Sequence, residues 1–336
     1  MNIDTTYAPS LESVRTAAKN IEGVAVVTPL NENLRYSKQY QANVSLKRED
    51  FQKVRSYKIR GAFNKMSSLS QKQSVKGIVC ASAGNHAQGV AFSCKTLKIN
   101  GNIFMPSPTP NQKIEQVRML GEDYINIELI GDTFDDAYSA ALKHCEEKGK
   151  TFVHPFNDPK VIEGQATIAL ELLEQSKNEN IDYIFLPVGG GGLASGLSQI
   201  FKILSPKTKV IGVEPKGAPS MSTSMQNDKN MELGEIENFV DGAAVKRVGD
   251  LTFNIAKQNL HEMITVDEGL ICQTILDLYN KEAIVAEPAA ALSIAALENY
   301  KEDIKGKNVV CIISGSNNDI TRTAEISERA MLYADL

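Results

Sequence analysis

A repeated alternation constrains this chain more than any other feature. Short runs rich in β-branched and apolar residues, at 78–81, 102–105, 183–186, 210–213 and 309–313, are mostly followed by longer stretches in which apolar residues recur at helical spacing. Those helical stretches lie at 85–97, 111–120, 134–148, 161–175, 193–204 and 319–330. Strands alternating with helices form open, twisted, mainly parallel sheets flanked by helices, so an α/β protein is expected. In such sheets the carboxyl ends of the strands face helix starts, and ligands bind along that edge. No segment repeats with a period of about 20 to 50 residues, which excludes a solenoid or propeller.

A chain of 336 residues is long enough for two lobes with a buried core. Its 42% hydrophobic and 23% charged residues place it among folded globular proteins rather than disordered ones. The net charge of −5 and the scattered lysines leave no basic stripe that would track nucleic acid. The opening MNIDTTYAPS lacks the basic and apolar regions of a leader, and no apolar run approaches the roughly 20 residues needed to cross a bilayer. A cytoplasmic protein with neither a nucleic-acid nor a membrane partner is expected. The five cysteines, Cys80, Cys94, Cys145, Cys272 and Cys311, are widely spaced without metal-ligand spacing and read as reduced and buried. His144 and His261 stand outside any motif and read as structural.

Four segments carry chemistry. In Ser56-Tyr57-Lys58-Ile59-Arg60-Gly61-Ala62 a lysine stands at a helix start beside an aromatic ring. The helix dipole and burial both favour its neutral amine, the form that condenses with an aldehyde. Alone, such a lysine is most often a solvated surface residue. Gly189, Gly190, Gly191 and Gly192 follow an apolar strand and open a helix. Successive N–H groups without side chains can wrap a phosphate, and the helix N-terminus favours its charge. These glycines, together with Ala194 and with Glu214 closing the next strand, also satisfy a relaxed dinucleotide pattern, so an NAD-dependent oxidoreductase competes at this point. The loop Ser82-Ala83-Gly84-Asn85-His86 joins a strand to a helix with groups suited to a carboxylate, and Asn85 suits a phenolate oxygen. A plain helix cap by Ser82 or Asn85 reads equally well. Ser314-Gly315-Ser316-Asn317-Asn318-Asp319 ends a buried strand in a tight polar turn, with Ser314 placed to meet a ring nitrogen and Asp319 to cap a helix. The proline cluster at 106–110 reads as a strand-to-helix loop, and 217–241 as either a mobile or cofactor-covering segment or an ordinary surface excursion.

In this order, S-Y-K-I-R-G-A, S-A-G-N-H-A-Q-G, P-V-G-G-G-G-L-A-S-G and S-G-S-N-N-D resemble the threonine dehydratases, or threonine ammonia-lyases, among the fold-type II enzymes related to the tryptophan synthase β subunit. The resemblance spans nearly the whole chain and includes His154-Pro155-Phe156-Asn157-Asp158-Pro159 and Glu163-Gly164-Gln165. It implies pyridoxal 5′-phosphate as cofactor and Lys58 as the catalytic Schiff-base lysine, with Tyr57 as the aromatic residue before it. It further implies Asn85 at the cofactor 3′-oxygen, Gly189, Gly190, Gly191, Gly192 and Leu193 around the phosphate, and Ser314 at the pyridine nitrogen. Ser82, Ala83, Gly84, Asn85 and His86 match the substrate-carboxylate loop. The implied reaction is deamination of L-threonine to 2-oxobutanoate and ammonia, with L-serine giving pyruvate as a secondary activity, as the first step of isoleucine biosynthesis. Residues 1–71 and 153–336 would form a large cofactor-binding lobe and 72–152 a small lobe closing on substrate. A homodimer or homotetramer is implied as well.

Departures sharpen the expectation. Serine racemases of this fold resemble the chain but place a serine at the position of Ala83, which disfavours racemisation here. Their cation site would align with Glu214, Ala218 and Ser220, and Ser220 stands where a carboxylate is expected, so no metal is expected. The β-replacing members of the fold carry a loop closer to T-S-G-N-T-G. The stretch 327–336 reads as a lead-in to a further domain of the sensing kind found in biosynthetic threonine dehydratases. A serine dehydratase, a degradative threonine dehydratase and a non-catalytic cofactor-binding module are the remaining alternatives.

Overall fold

The computed structural model describes residues 6–177 and 179–334; the leader reading at 1–5 and the last two residues of the 327–336 stretch lie outside them. Among the described residues ten strands form two sheets: β1 (Leu30–Glu32), β2 (Asn43–Arg48), β3 (Ile78–Ala81), β4 (Gly101–Met105), β5 (Ile125–Leu129), β6 (Thr151–Phe152), β7 (Tyr183–Pro187), β8 (Lys209–Pro215), β9 (Glu262–Val266) and β10 (Asn308–Ile313). The six-stranded sheet runs β1-β2-β10-β7-β8-β9 and the four-stranded one β5-β4-β3-β6. All neighbouring strands pair in parallel except β1 with β2. Helices cover both faces, which is why β7 is a continuous apolar run. Tyr183 and Phe185 pack into one core and Ile184 and Leu186 into another on the opposite face. The smaller sheet repeats the pattern, with Ile78 and Cys80 on one side and Val79 and Ala81 on the other.

All five expected strands are present, and so are five of the six helices within two residues at their starts. The sixth differs. At 319–330, a short turn Ile320–Arg322 comes first and the helix proper is Thr323–Ala334. Asp319 caps that turn by accepting the Thr321 N–H at 2.9 Å, which interrupts the helical pattern before it can start. Strands β1, β2, β5, β6 and β9 were not expected. Their residues are short runs or half-exposed mixtures, such as Ile-Asn-Ile-Glu-Leu in β5, with no uninterrupted apolar signal.

The chain leaves the large sheet after β2, builds the small sheet, and returns at β7. Both crossings pass through two helices, Lys58–Ser67 and Pro159–Gln175. They meet backbone to backbone at Gly61 and Gly164. A Cβ on Gly164 would lie 2.5 Å from the Arg60 carbonyl oxygen, and one on Gly61 2.7 Å from the Val161 carbonyl oxygen. The glycine in Glu163-Gly164-Gln165 is thus a packing requirement. Behind that crossing lies a buried ion cluster. Arg60 donates to Glu49 at 2.8 Å and Glu171 at 2.6 Å, and Lys47 donates to Glu171 at 2.6 Å and to the Thr28 carbonyl at 2.7 Å. Two cations face two carboxylates, so the charges cancel; Lys47, Glu49 and Arg60 are fully buried and Glu171 is partly so. The helix beginning at Lys58 also packs Ile59, Ala62 and Met66 against Ile78, Cys80 and Val90 of the smaller unit.

Candidate active site

The residues singled out by chemistry converge where β3, β7 and β10 end. Lys58 opens the helix Lys58–Ser67 directly after Tyr57. The Ser314 turn is stapled to this helix start: the Tyr57 N–H donates to the Ser314 carbonyl at 3.1 Å, and the Ser316 N–H to the Arg55 carbonyl at 2.9 Å. Lys58 Nζ donates to the Pro155 carbonyl at 3.3 Å and lies 5.2 Å from the centre of the Tyr57 ring. The side chain keeps some accessible surface, yet the protein around it is dense enough for desolvation to lower its pKa to about 8, against the opposing pull of the Glu287 charge. Desolvation, which the sequence reading invoked beside the helix dipole, is the leading cause. Gly89, on the helix Asn85–Leu97, lets that helix approach to the Lys58 carbonyl, where a Cβ would sit at 3.1 Å.

The tetraglycine loop runs from β7 into the helix Gly192–Leu204, with Gly191 left-handed at φ 91°. Phe156 fills the space that side chains would need, since a Cβ on Gly190 would lie 2.1 Å from its ring. Among the described residues, the N–H groups of Gly189 through Leu193 have no backbone acceptor. A row of unused donors at a helix N-terminus fits a phosphate. Phe156 is itself held by His154, whose Nδ1 accepts the N–H of Phe156 at 3.2 Å and of Asn157 at 2.8 Å. Desolvation and the Lys58 charge push His154 down to about 3, so its ring stays neutral in this role.

On the opposite wall, the Gly84 N–H donates to Ser82 Oγ at 3.2 Å, and Gly84 rather than Ser82 or Asn85 stands at the cap position of the helix Asn85–Leu97, with no side-chain cap. The plain-cap reading of this loop therefore does not hold, and among the described residues the N–H groups of Asn85, His86 and Ala87 have no backbone acceptor. His86 is buried, shares its Nε2 with the Val153 carbonyl at 2.9 Å, and is also held near 3, first by desolvation and then by Lys58. A carbonyl only accepts, so Nε2 carries the proton and Nδ1 is a buried acceptor without a hydrogen-bond partner among the described residues. Asn85 faces a group the sequence reading missed. Its Nδ2 donates to both oxygens of Glu287, at 2.8 and 2.9 Å. In the sequence Glu287 is one acid before a proline at a helix start, a pattern that ordinarily marks only a helix N-terminus. Ser314, 2% exposed, completes the floor.

Glu214 takes no part in this site. It is fully buried and accepts the N–H of Met221 at 2.7 Å, the N–H of Ser222 at 2.8 Å and the Ser222 hydroxyl at 2.7 Å. Its oxygens are spent on the helix Ser220–Gln226, which removes the ribose-binding acid from the dinucleotide reading. The same segment shows that 217–241 is partly helical and packed.

A lysine at a helix start, a glycine phosphate cradle and a polar turn at the end of a neighbouring strand define a site for an aldehyde cofactor that carries a phosphate. The chain belongs to the pyridoxal-phosphate dependent enzyme family, whose model matches residues 21–315. Within it, the chain is 51% identical to the L-threonine dehydratase biosynthetic IlvA of Halalkalibacterium halodurans over 97% of its own length and 78% of that protein, and 52% identical to the Bacillus subtilis protein of the same name over 97% and 77%. Among solved structures, the processed form of threonine deaminase isoform 2 from Solanum lycopersicum superposes with a TM-score of 0.89 at 39% identity, covering 96% of this chain and 95% of that one. A maize serine racemase gives 0.89 at 30% identity over 98% and 100%.

Proposed function

We propose that this protein is a threonine ammonia-lyase that converts L-threonine to 2-oxobutanoate and ammonia, with L-serine giving pyruvate more slowly, and that it supplies the first step of isoleucine synthesis. The observation that carries the reading is the position of Lys58, whose amine bonds the Pro155 carbonyl next to the Phe156 that packs on the glycine cradle, and whose charge bears on His86 of the Ser82–His86 loop. Bound pyridoxal phosphate supplies an electron sink that makes the α-proton of an amino acid removable. The protein does the rest. Lys58 would hold the cofactor through Nζ and, when free, would be the base for the α-proton, a task suited to an amine whose pKa is lowered to about 8. The N–H groups of Gly189–Leu193 hold the phosphate, Ser314 meets the ring nitrogen, and Tyr57 flanks the cofactor. The loop from Ser82 to His86 holds the substrate carboxylate, and Asn85 the ring oxygen. Loss of the α-proton and the β-hydroxyl expels water, which returns when the released enamine hydrolyses to the keto acid and ammonia. Ala83 has no proton to donate to the opposite face of the α-carbon, which supports elimination over racemisation.

We infer further that residues 72–152 move as a small lobe over a large lobe of 1–71 and 153–336, and that the protein acts in the cytoplasm as a homodimer or homotetramer. The test is a visible spectrum of the purified protein followed by keto-acid release from L-threonine, L-serine and their D-isomers. An absorption band above 400 nm that is lost in Lys58→Ala, with product from L-threonine, supports the reading. A D-amino acid accumulating from the L-form would point to a racemase, and a band without product to a binding module.

A further inference from the structure

We propose that Glu287 is a positioning residue that fixes the orientation of the Asn85 amide toward the cofactor; the inference rests on the pyridoxal-phosphate reading of the site. Hydrogen-bond parity fixes which way each amide faces. Val54 offers a carbonyl oxygen, which only accepts. Asn317 Nδ2 donates to it at 3.0 Å and to Asn85 Oδ1 at 2.7 Å. Both partners are acceptors, so the group that Asn317 turns toward them is its NH2, and Asn85 must present its oxygen in return. The NH2 of Asn85 then points the other way, where the two Glu287 oxygens receive it at 2.8 and 2.9 Å. One N–H of Asn85 is thereby consumed and the other is left for the ring oxygen assigned to Asn85 above.

The surroundings keep Glu287 in this seat. It is 6% exposed, its own N–H donates to the Gly315 carbonyl at 3.2 Å, and a Cβ on Gly315 would come within 2.6 Å of its Oε1. The turn that bears Ser314 thus has a glycine where Glu287 needs room. The titratable groups that bear on the carboxyl are Asp241, Lys113, Lys58 and Tyr57. Burial raises its pKa to about 7, with the Asn85 bond opposing that shift. A carboxyl accepting from Asn85 acts through Asn85 and touches no reacting atom, which separates it from the catalytic residues.

Glu287→Gln and Glu287→Leu distinguish this from a packing role. Glutamine retains an acceptor oxygen at the same reach; leucine retains only bulk. With holoenzyme, Glu287→Leu is expected to lower kcat by about tenfold or more, with KM for threonine little changed, and to move the pH midpoint of the visible cofactor band, whereas Glu287→Gln stays within about threefold. In an Asn85→Ala background the leucine change should have a much smaller effect than in the wild type, because the bond from Asn85 is already gone and only the Asn317 N–H remains on the carboxyl. Asn317→Ala, which attacks the same amide from its other side, should move the band midpoint as Glu287→Leu does and covers the case in which the leucine variant does not fold. An unmoved midpoint in a folded Glu287→Leu, or an undiminished effect in the Asn85→Ala background, overturns the proposal. If the wild type shows no band, the cofactor reading itself has failed, and side-chain amide NMR of the cofactor-free protein still decides on Glu287. One Asn85 Nδ2 proton should exchange slowly, lose that protection in Glu287→Leu and keep it in Glu287→Gln; equal exchange of both protons in the wild type refutes it.

Discussion

Lys58 and Gly190 show how single positions set the chemistry. A surface lysine is almost wholly charged at neutral pH, but with its pKa lowered to about 8 by desolvation, Lys58 has a neutral fraction that climbs steeply through that value. The direction follows from the sign of the shift: the proton is lost at lower pH than usual, so attachment of pyridoxal phosphate to the cofactor-free protein should accelerate as pH rises and level off above about 8. Stopped-flow absorbance at several pH values measures this, and a rate still rising steeply at the ordinary lysine pKa would contradict it. Lys58→Ala should lose about three orders of magnitude in turnover, the scale of a missing general base, while remaining folded. Gly190→Ala should fold with a loss of roughly 1–3 kcal/mol, because its Cβ would meet the Phe156 ring, and should weaken cofactor binding far more than substrate affinity. Equilibrium titration with cofactor separates the two effects.

At the scale of elements, the helix that carries Lys58 is held by the buried cluster of Lys47, Glu49, Arg60 and Glu171. Removing one partner leaves a charge buried without its counterpart, so Arg60→Leu should cost about 3–5 kcal/mol in denaturant unfolding, and a loss under 1 kcal/mol would mean that the cluster relaxes into water. Burial alone would raise the Glu49 pKa, but the Arg60 charge and hydrogen bonds, with the Lys47 charge and the Thr28 hydroxyl, together outweigh it and the net shift is downward. A carboxylate with a depressed folded pKa contributes stability above its unfolded value, and that contribution fades as pH falls through the folded one. The wild type should therefore lose stability on acidification more than an Arg60 variant does. The elements differ in how far the sequence disclosed them. Strands β3, β7 and β10 were legible because both faces are buried, which leaves uninterrupted apolar runs. β2 was not, since it carries Lys47, a residue whose burial depends on partners contributed by a helix more than 100 residues away. The site divides in the same way. Lys58, the glycines, Asn85 and Ser314 lie in local motifs, whereas Glu287 acquires its meaning only from Asn85, 202 positions distant.

On the scale of the whole molecule, two ion pairs link the smaller unit to the larger one around the site. Lys113 meets Asp241 at 2.5 Å and Lys246 meets Asp135 at 3.9 Å. Asp241 lies in the segment whose Ala243 abuts Gly189. Pairs this exposed are worth less than about 1 kcal/mol each and are screened by salt. Lys113→Ala should accordingly raise KM for threonine by about two- to fivefold with little change in kcat, and added salt should do to the wild type what the substitution does. A KM indifferent to both would show that these contacts are incidental to closure. The two chain crossings between the sheets place Lys58 on one and Pro155 on the other, joined by the 3.3 Å bond from Nζ to the carbonyl. In mechanical terms the amine would sit at the axle of the lobe motion proposed above: points far from the crossings would travel most and Lys58 least. The walls that bring the substrate can then swing while the atom that receives its proton stays where it is.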